Sequence, residues 1–481
     1  MRQADFKNMV DQARQVSNAP SVAAGAAWGG QVWYHCAGQR GLGAGPADAD
    51  TVYPIASSSK AFIASCVMML VDEGRLELDA PVKSHLPELE LWSQPLTEQL
   101  TARDMLTHRS GLPRHDVTQF TRADATLPQT IAYLRYLEPA WELRQRFGYQ
   151  NHMFALASRL VERLTGQPWG AVVRQRIFAP LGLTRAYTAW REYERYDDNY
   201  ARPLITHGAT AQPIEPIPTD SLACAGSLSL SLRDLLAWGR ANLALHGAGR
   251  GKGAAAGPLA LSPQAVDALH SPQMPIGPGE MAPYETPLTQ SQAYGLGWFV
   301  ERHRGAVLIH HGGTLRGFKS MVGFMPEHGL AVAVLANQND SPAPMLLLRQ
   351  MADAVLGGEM HDWPGFYLAR QAERTAEELR QYREAVAEEA RPLPAACAGV
   401  YEHPGYGRVR IASGPDGPRL RAGGRSYHLR PGAAADWAID SGDVPLAVPS
   451  YFEGGAAFCA FLEPELKHPI RFERVAPAEA D

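Results

Sequence analysis

Short runs that alternate apolar and polar positions, broken by glycine turns, open the chain. Val22-Ala23-Ala24-Gly25 and Gln31-Val32-Trp33-Tyr34 are of this kind, and residues 22 to 56 predict edge strands of an antiparallel sheet. The pattern then changes to an apolar helical run, Ala61-Phe62-Ile63-Ala64-Ser65-Cys66-Val67-Met68-Met69-Leu70. This helix begins near Ser57 and stops at Asp72-Glu73-Gly74, with Gly74 just past its last turn. Residues 80 to 220 read as a mostly helical insertion with proline-rich loops. Residues 245 to 292, rich in Gly, Pro and Ala, read as a long loop near the mouth of a site. Strands return around residues 297–303 and 306–309, and a further pair near 319–325 and 330–335 completes the sheet. A charged helical stretch from Tyr367 to Ala390 leads into a boundary at Arg391-Pro392-Leu393-Pro394. Beyond it, short alternating runs at 408–411, 426–429, 457–462 and 470–475 are separated by glycine turns, the pattern of a small β-barrel or sandwich.

Length and composition narrow the classes. A chain of 481 residues predicts two or three domains, and 45% hydrophobic with 20% charged residues is ordinary for a globular enzyme. A net charge of −5 gives no reason to expect nucleic acid or an anionic membrane as partner. Nowhere is there an apolar stretch of about 18 residues, the length needed to span a bilayer. Met1-Arg2-Gln3-Ala4-Asp5-Phe6-Lys7 lacks the apolar core of a signal peptide. Five scattered cysteines (36, 66, 224, 397 and 459), with no Cys-x-x-Cys, read as reduced, buried thiols of a cytoplasmic protein. No His-Glu-x-x-His pattern or Cys/His cluster suggests a metal, and no cofactor is expected.

The candidate chemistry begins with Ser57-Ser58-Ser59-Lys60. A three-residue spacing on a helix puts Ser57 and Lys60 on one face, within hydrogen-bonding reach. A serine hydroxyl becomes a nucleophile when a base takes its proton, and lysine serves if burial and nearby cations keep it partly neutral. The chain has six lysines against 39 arginines, and only Lys60 has a serine three residues before it. Taken alone, the pair is a helix cap and a snorkelling side chain. Two further segments change its meaning. Tyr149-Gln150-Asn151 stands in a polar stretch before the helical run 153–164. His310-His311-Gly312-Gly313-Thr314 follows a β-prone run and carries glycines where a strand edge lets a ligand approach.

Ser-x-x-Lys, Tyr-x-Asn and His-Gly-Gly in this order resemble the class C β-lactamase-like serine hydrolases, a family that includes penicillin-binding carboxypeptidases, D-aminopeptidases and esterases. Supporting segments are Leu106 to Leu112, Phe178 to Leu183, Ala225 to Ser229 and Tyr294 to Trp298, and the likeness covers roughly residues 5 to 360. It implies an α+β fold, β-lactamase/transpeptidase-like, with an antiparallel sheet flanked by helices and an all-helical subdomain. Residues 1–365 would form the hydrolase domain, 366–392 a helical linker and 393–481 a barrel. The opening of that barrel, Gly399 to Gly407, resembles the lipocalin-like domain attached to some family members.

The resemblance also implies roles. Ser57 would form the acyl-enzyme, Lys60 hold or accept its proton, and Tyr149, stabilised as a phenolate, shuttle the proton to the leaving group. The N–H groups of Ser57 and Thr314, with Gly313 beside them, would form the oxyanion hole, and Asn151 would orient Lys60 and the substrate. His311 takes the place of a lysine that pairs with the substrate carboxylate in β-lactamases and carboxypeptidases. A neutral histidine there argues for a small amide, short peptide or ester over an antibiotic, with a lean toward amide. His108, His310 and Arg316 read equally well as structural. An esterase or acyltransferase uses the same residues, a non-catalytic ligand sensor would need none of them, and homo-oligomerisation is left open.

Overall fold

Which side chains can face two cores at once decides the architecture. The computed structural model describes residues 2–207, 210–216, 218–247, 259–281, 284–338, 340–385, 392–431, 437–440, 449–451, 458–461 and 465–477. Eight antiparallel strands form the main sheet, in the order Gln31–Gly38, Ser21–Trp28, Leu330–Ala336, Phe318–Met325, Ala306–Leu315, Phe299–His303, Thr289–Tyr294 and Met274–Pro275. Successive side chains on a strand point to opposite faces. On Leu330–Ala336 this sends Ala331, Ala333 and Leu335 into the core shared with the helical subdomain. Val332, Val334 and Ala336 go instead into a second core, against Phe6 and Val10 of the helix Gln3–Ser17 and Leu346 of the helix Ala343–Leu356.

That two-sided burial corrects one expectation. Ser21–Trp28 is not an edge strand: it pairs with Gln31–Gly38 on one side and Leu330–Ala336 on the other. Its small residues, Val22 through Ala26, let helices close on both faces, and of these two strands it is Gln31–Gly38 that stands at the edge.

The helix Lys60–Asp72 has every residue from Lys60 to Leu70 buried, as an all-round apolar helix must. A 3₁₀ turn, Ala56–Ser59, precedes it, and Gly74 with φ +68° ends it as expected. Against it lies the helix Asn151–Thr165, closed by Gly166 at φ +71°. Of the expected loop at 245–292, residues 248–258 and 282–283 lie outside the described residues. The remainder contains regular structure: the helix Pro263–His270, started by Ser262 as N-cap with Pro263 behind it, and the strand Thr289–Tyr294.

The charged stretch forms the helix Trp363–Ala385, whose first turns bury Trp363 and Tyr367 in the second core. Residues 386–391, including the Arg391 of the expected boundary, lie outside the described residues, as do Ala457 and Leu462. Beyond them, eight strands pair in sequence from Gly399–His403 to Ile470–Pro477, and the last pairs with the first. Their alternation is clean: Val409, Ile411, Leu420 and Phe472 are buried while Arg421 and Arg471 are exposed. All five cysteines are free, Cys36 half-buried and the other four buried. No helix among the described residues is long and apolar enough to cross a membrane.

Candidate active site

Ser57 sits in the 3₁₀ turn Ala56–Ser59, where the strand Val52–Pro54 gives way to the buried helix. The residue before it, Ala56, has φ +47°, a conformation that costs a non-glycine residue about 1–3 kcal/mol and is found where surrounding structure holds a functional turn in place. At the start of a helix the Ser57 N–H has no intrahelical acceptor.

One turn on, Lys60 is wholly buried. Its Nζ lies 3.0 Å from Ser57 Oγ, 2.8 Å from Asn151 Oδ1 and 2.8 Å from the Ala225 carbonyl oxygen. Burial pushes the lysine well below its usual value, and the Arg114 guanidinium pushes it further the same way. The partner set then has a chemical consequence. A carbonyl and an amide oxygen can only accept, so a neutral Lys60 spends its two N–H bonds on Ala225 and Asn151. Its lone pair is left facing the Ser57 hydroxyl.

Tyr149 lines the same cavity as Ser57, with its hydroxyl toward the serine side chain. Its ring is 4.9 Å from Lys60 Nζ and 5.3 Å from the Arg114 guanidinium carbon. Burial raises the phenol well above its ordinary value. The expectation of a standing phenolate is therefore corrected: with Lys60 neutral, too little positive charge remains to offset the loss of solvent, and the phenol keeps its proton. His108, at φ +57°, packs on the Tyr149 ring at 4.2 Å and accepts from the Gln150 N–H at 3.0 Å.

His311 is held as a neutral ring. Its Nδ1 is 2.7 Å from the Gly312 carbonyl oxygen, which can only accept, so Nδ1 carries the proton. Nε2 then accepts from the Tyr294 hydroxyl at 2.8 Å. Burial, and then Lys60, hold His311 well below its usual value. It lies beneath the site, its ring 6.4 Å from that of Tyr149, rather than on the cavity wall. His310 is tied away from the site, with Nε2 3.2 Å from Glu301 Oε2.

The strand Ala306–Leu315 pairs with Phe299–His303 only as far as His310, so its edge from His311 onward faces the site. A cavity of about 620 Å³ opens there, bounded by Ser57, Tyr149, Asn151, Gly313, Thr314 and Arg114. It extends past Lys319, which burial lowers to about 8, to Tyr367 and Arg370 of the helix Trp363–Ala385. Gly313 is needed where the strand crosses the turn before Ser57: a Cβ there would overlap the Ile55 carbonyl oxygen and Ser320 Oγ. Gly313→Ala is therefore expected to lower stability by about 1–3 kcal/mol. It should also cut kcat by roughly 100-fold by displacing Thr314. Gly312→Ala would press on the movable ends of Tyr284 and Met321, at 2.8 and 3.0 Å, with the Ser320 carbonyl oxygen at an ordinary 3.4 Å, and should be milder on both counts. Thermal melts and steady-state kinetics of the two variants check this. Among the described residues no group of three or more His, Cys, Asp or Glu is placed to hold a metal ion.

Ser57, Tyr149, Asn151, Gly313 and Thr314 thus meet at one cavity from three separated segments, with Lys60 buried behind Ser57. The match of the beta-lactamase family model to residues 6–356 agrees with that order. The chain belongs to the beta-lactamase family. The family is one of serine hydrolases. The unguisins hydrolase ungD' of Aspergillus campestris is 26% identical over 429 residues, covering 85% of this chain and 77% of that protein. An octameric penicillin-binding protein homologue from Pyrococcus abyssi shares the fold with a TM-score of 0.64 at 21% identity, over 98% of this chain and 100% of its own. A D-stereospecific amidohydrolase from Streptomyces does so with a TM-score of 0.56 at 24% identity, over 70% and 95%. The family match ends before the helix Trp363–Ala385 and the C-terminal strands. Sequence reasoning missed Arg114, which belongs to no motif, and the Ala225 carbonyl, a backbone atom no side-chain pattern reveals. It missed Tyr294 as the partner of His311 as well, although Tyr294 opens one of the segments that carry the family likeness.

Proposed function

We propose that this protein cleaves a small amide or peptide bond through an acyl-enzyme on Ser57. The observation that carries the reading is the Lys60 partner set: two pure acceptors and, at 3.0 Å, the serine hydroxyl. Lys60 takes the Ser57 proton as Oγ attacks the carbonyl carbon, and the oxyanion is met by the N–H groups of Ser57 and Thr314. One such donor is worth about 3–4 kcal/mol. The neutral Tyr149 phenol gives its proton to the leaving amine and recovers one from Lys60. Water then enters by the reverse route and releases the acid from Ser57.

The neutral, enclosed His311 removes the fixed cation that would select a carboxylate beside the reacting carbonyl, which supports the lean away from β-lactams. The name of the Aspergillus relative, a hydrolase of unguisins, supports hydrolysis as the outcome. D-configured amides are the first class to examine, as the Streptomyces structure shares this fold. We read 1–365 as the hydrolase unit, 366–392 as its linker and 393–481 as a lipocalin-like barrel. The pairing of Gly399–His403 with Ile470–Pro477 supports the barrel.

The test is turnover of p-nitrophenyl acetate and butyrate, D- and L-aminoacyl p-nitroanilides and nitrocefin by wild type and by Tyr149→Phe. The anilides are expected to be cleaved, the D series faster. Tyr149→Phe should lower kcat by roughly 10²–10⁴ if the phenol carries the proton to the leaving amine. Cleavage of esters alone would move the assignment to an esterase or acyltransferase.

A further inference from the structure

The loop that carries Arg114 is clamped from the C-terminal unit. Arg114 lines the cavity beside Ser57 and holds its guanidinium carbon 5.3 Å from the Tyr149 ring centre. On its upstream side the Pro113 carbonyl accepts from Gln150 Nε2 at 2.7 Å, one residue from Tyr149. On its downstream side His115 is fully buried and adopts φ +51°, a left-handed conformation uncommon for a residue other than glycine. Its carbonyl accepts from the Thr118 N–H and Oγ1, at 3.0 and 2.8 Å, and its ring is held by Tyr406, whose hydroxyl lies 2.6 Å from His115 Nδ1.

Tyr406 is 2% exposed and stands in the turn between the strands Gly399–His403 and Gly407–Gly414, packed on His403 and Phe472. The surrounding contacts run the same way. Arg122 Nη2 donates to the Pro404 carbonyl at 2.8 Å. Phe120 packs on Tyr427 and Phe461, each at 6.0 Å. A Cβ at Gly423 would overlap the Phe120 carbonyl, so the backbones meet closely there. The short helix Val117–Thr121 that follows the Arg114 loop therefore rests on the C-terminal strands.

We propose that Tyr406 is a positioning residue for the active site: by holding His115 it keeps the Arg114 guanidinium over Tyr149 and close to Lys60. This gives the C-terminal unit a part in the hydrolase site, and it rests on Lys60 being the base. The titratable and charged groups that face Lys60 are Arg114 and Asp116 from this loop, Tyr149, His108, His311 and Cys224. Burial keeps both histidines neutral and both Tyr149 and Cys224 protonated. Arg114 and Asp116 are the charges left, and the residue between them is the one Tyr406 holds.

The experiment reads Lys60 directly. With six lysines in the chain, ¹³C-lysine labelling gives a simple spectrum, and loss of one resonance in Lys60→Met assigns it. Titration of the full-length wild type, Tyr406→Phe, Arg114→Gln and the double variant is expected to show the Lys60 pKa raised in all three variants. The shift in the double variant should equal that of Arg114→Gln alone, as two residues acting through one path require. The acid limb of kcat/KM should move up with it. If Tyr406→Phe folds poorly, His115→Asn, which keeps a residue tolerant of left-handed backbone, should give the same shift. An unmoved Lys60 in Tyr406→Phe, or shifts that add in the double variant, would overturn the proposal. Ser57-dependent turnover with no Lys60 shift sinks the positioning role alone. A shift without turnover in any substrate class sinks the hydrolase reading instead.

Discussion

Ser57→Ala is expected to abolish turnover, with kcat lower by on the order of 10⁴–10⁶, while the melting temperature stays close to that of wild type. The kinetic loss is large because neither neighbouring serine hydroxyl is placed to replace it. Ser58 Oγ donates to the His311 carbonyl at 3.0 Å, and Ser59 Oγ to that of Ala56 at 2.6 Å, so both neighbours are committed elsewhere. The structural loss is small because Ser57 is half-open to the cavity, where water fills the space that a hydroxyl leaves. Single-turnover kinetics with a D-aminoacyl anilide and a thermal melt decide it. Residual activity above about one per cent, with the fold intact, would mean that another nucleophile operates.

Lys60→Met should lower kcat by roughly 10²–10⁴, the usual worth of a positioned base. Its more telling effect is on the pH dependence of stability. In the native protein Lys60 titrates well below its ordinary value of 10.5, which is the value the unfolded chain restores. Between those two values the unfolded state holds a proton that the native state lacks, so native stability rises with pH across that window. Methionine contributes no such slope. Urea unfolding at several pH values should therefore find wild type gaining on Lys60→Met as pH rises toward 10.5. Against this, the Asn151 and Ala225 acceptors lose their donor, at about 1–3 kcal/mol each and without pH dependence. In kinetics, kcat/KM should fall as pH drops through the lowered Lys60 value, because an ammonium has no lone pair for the serine proton. The alkaline fall should begin only above the ordinary tyrosine range, since Tyr149 is raised. Equal slopes of stability against pH in wild type and variant would mean that Lys60 is not held neutral.

The sequence was legible where local physics suffices. The strands expected near 319–325 and 330–335 fall within a residue of Phe318–Met325 and Leu330–Ala336, and Gly74 marked the end of the buried helix. Apolar residues on all sides of 61–70 required that helix to lie inside. Elsewhere local physics misled. Val22 to Ala26 reads as an edge strand because small residues do not reveal a second covering layer. A Gly- and Pro-rich composition concealed the helix Pro263–His270, although Ser262-Pro263 is a start signal.

By itself the sequence determined which residues are fit for the chemistry and in what order they occur: Ser57 and Lys60 one helical turn apart, Tyr149 and Asn151 two residues apart, and glycines on a strand edge. These are short-range facts fixed by helix and strand periods. Only the tertiary structure decided their protonation. Proton affinity depends on solvent exclusion and on charges contributed by distant segments: Ala225 and Asn151 around Lys60, Tyr294 against His311, and Arg114 held by a loop that the C-terminal Tyr406 fastens. No local pattern encodes which groups will exclude water from a given side chain, so the proposed base could be picked out in the chain, but the burial that lowers its proton affinity had to wait for the fold.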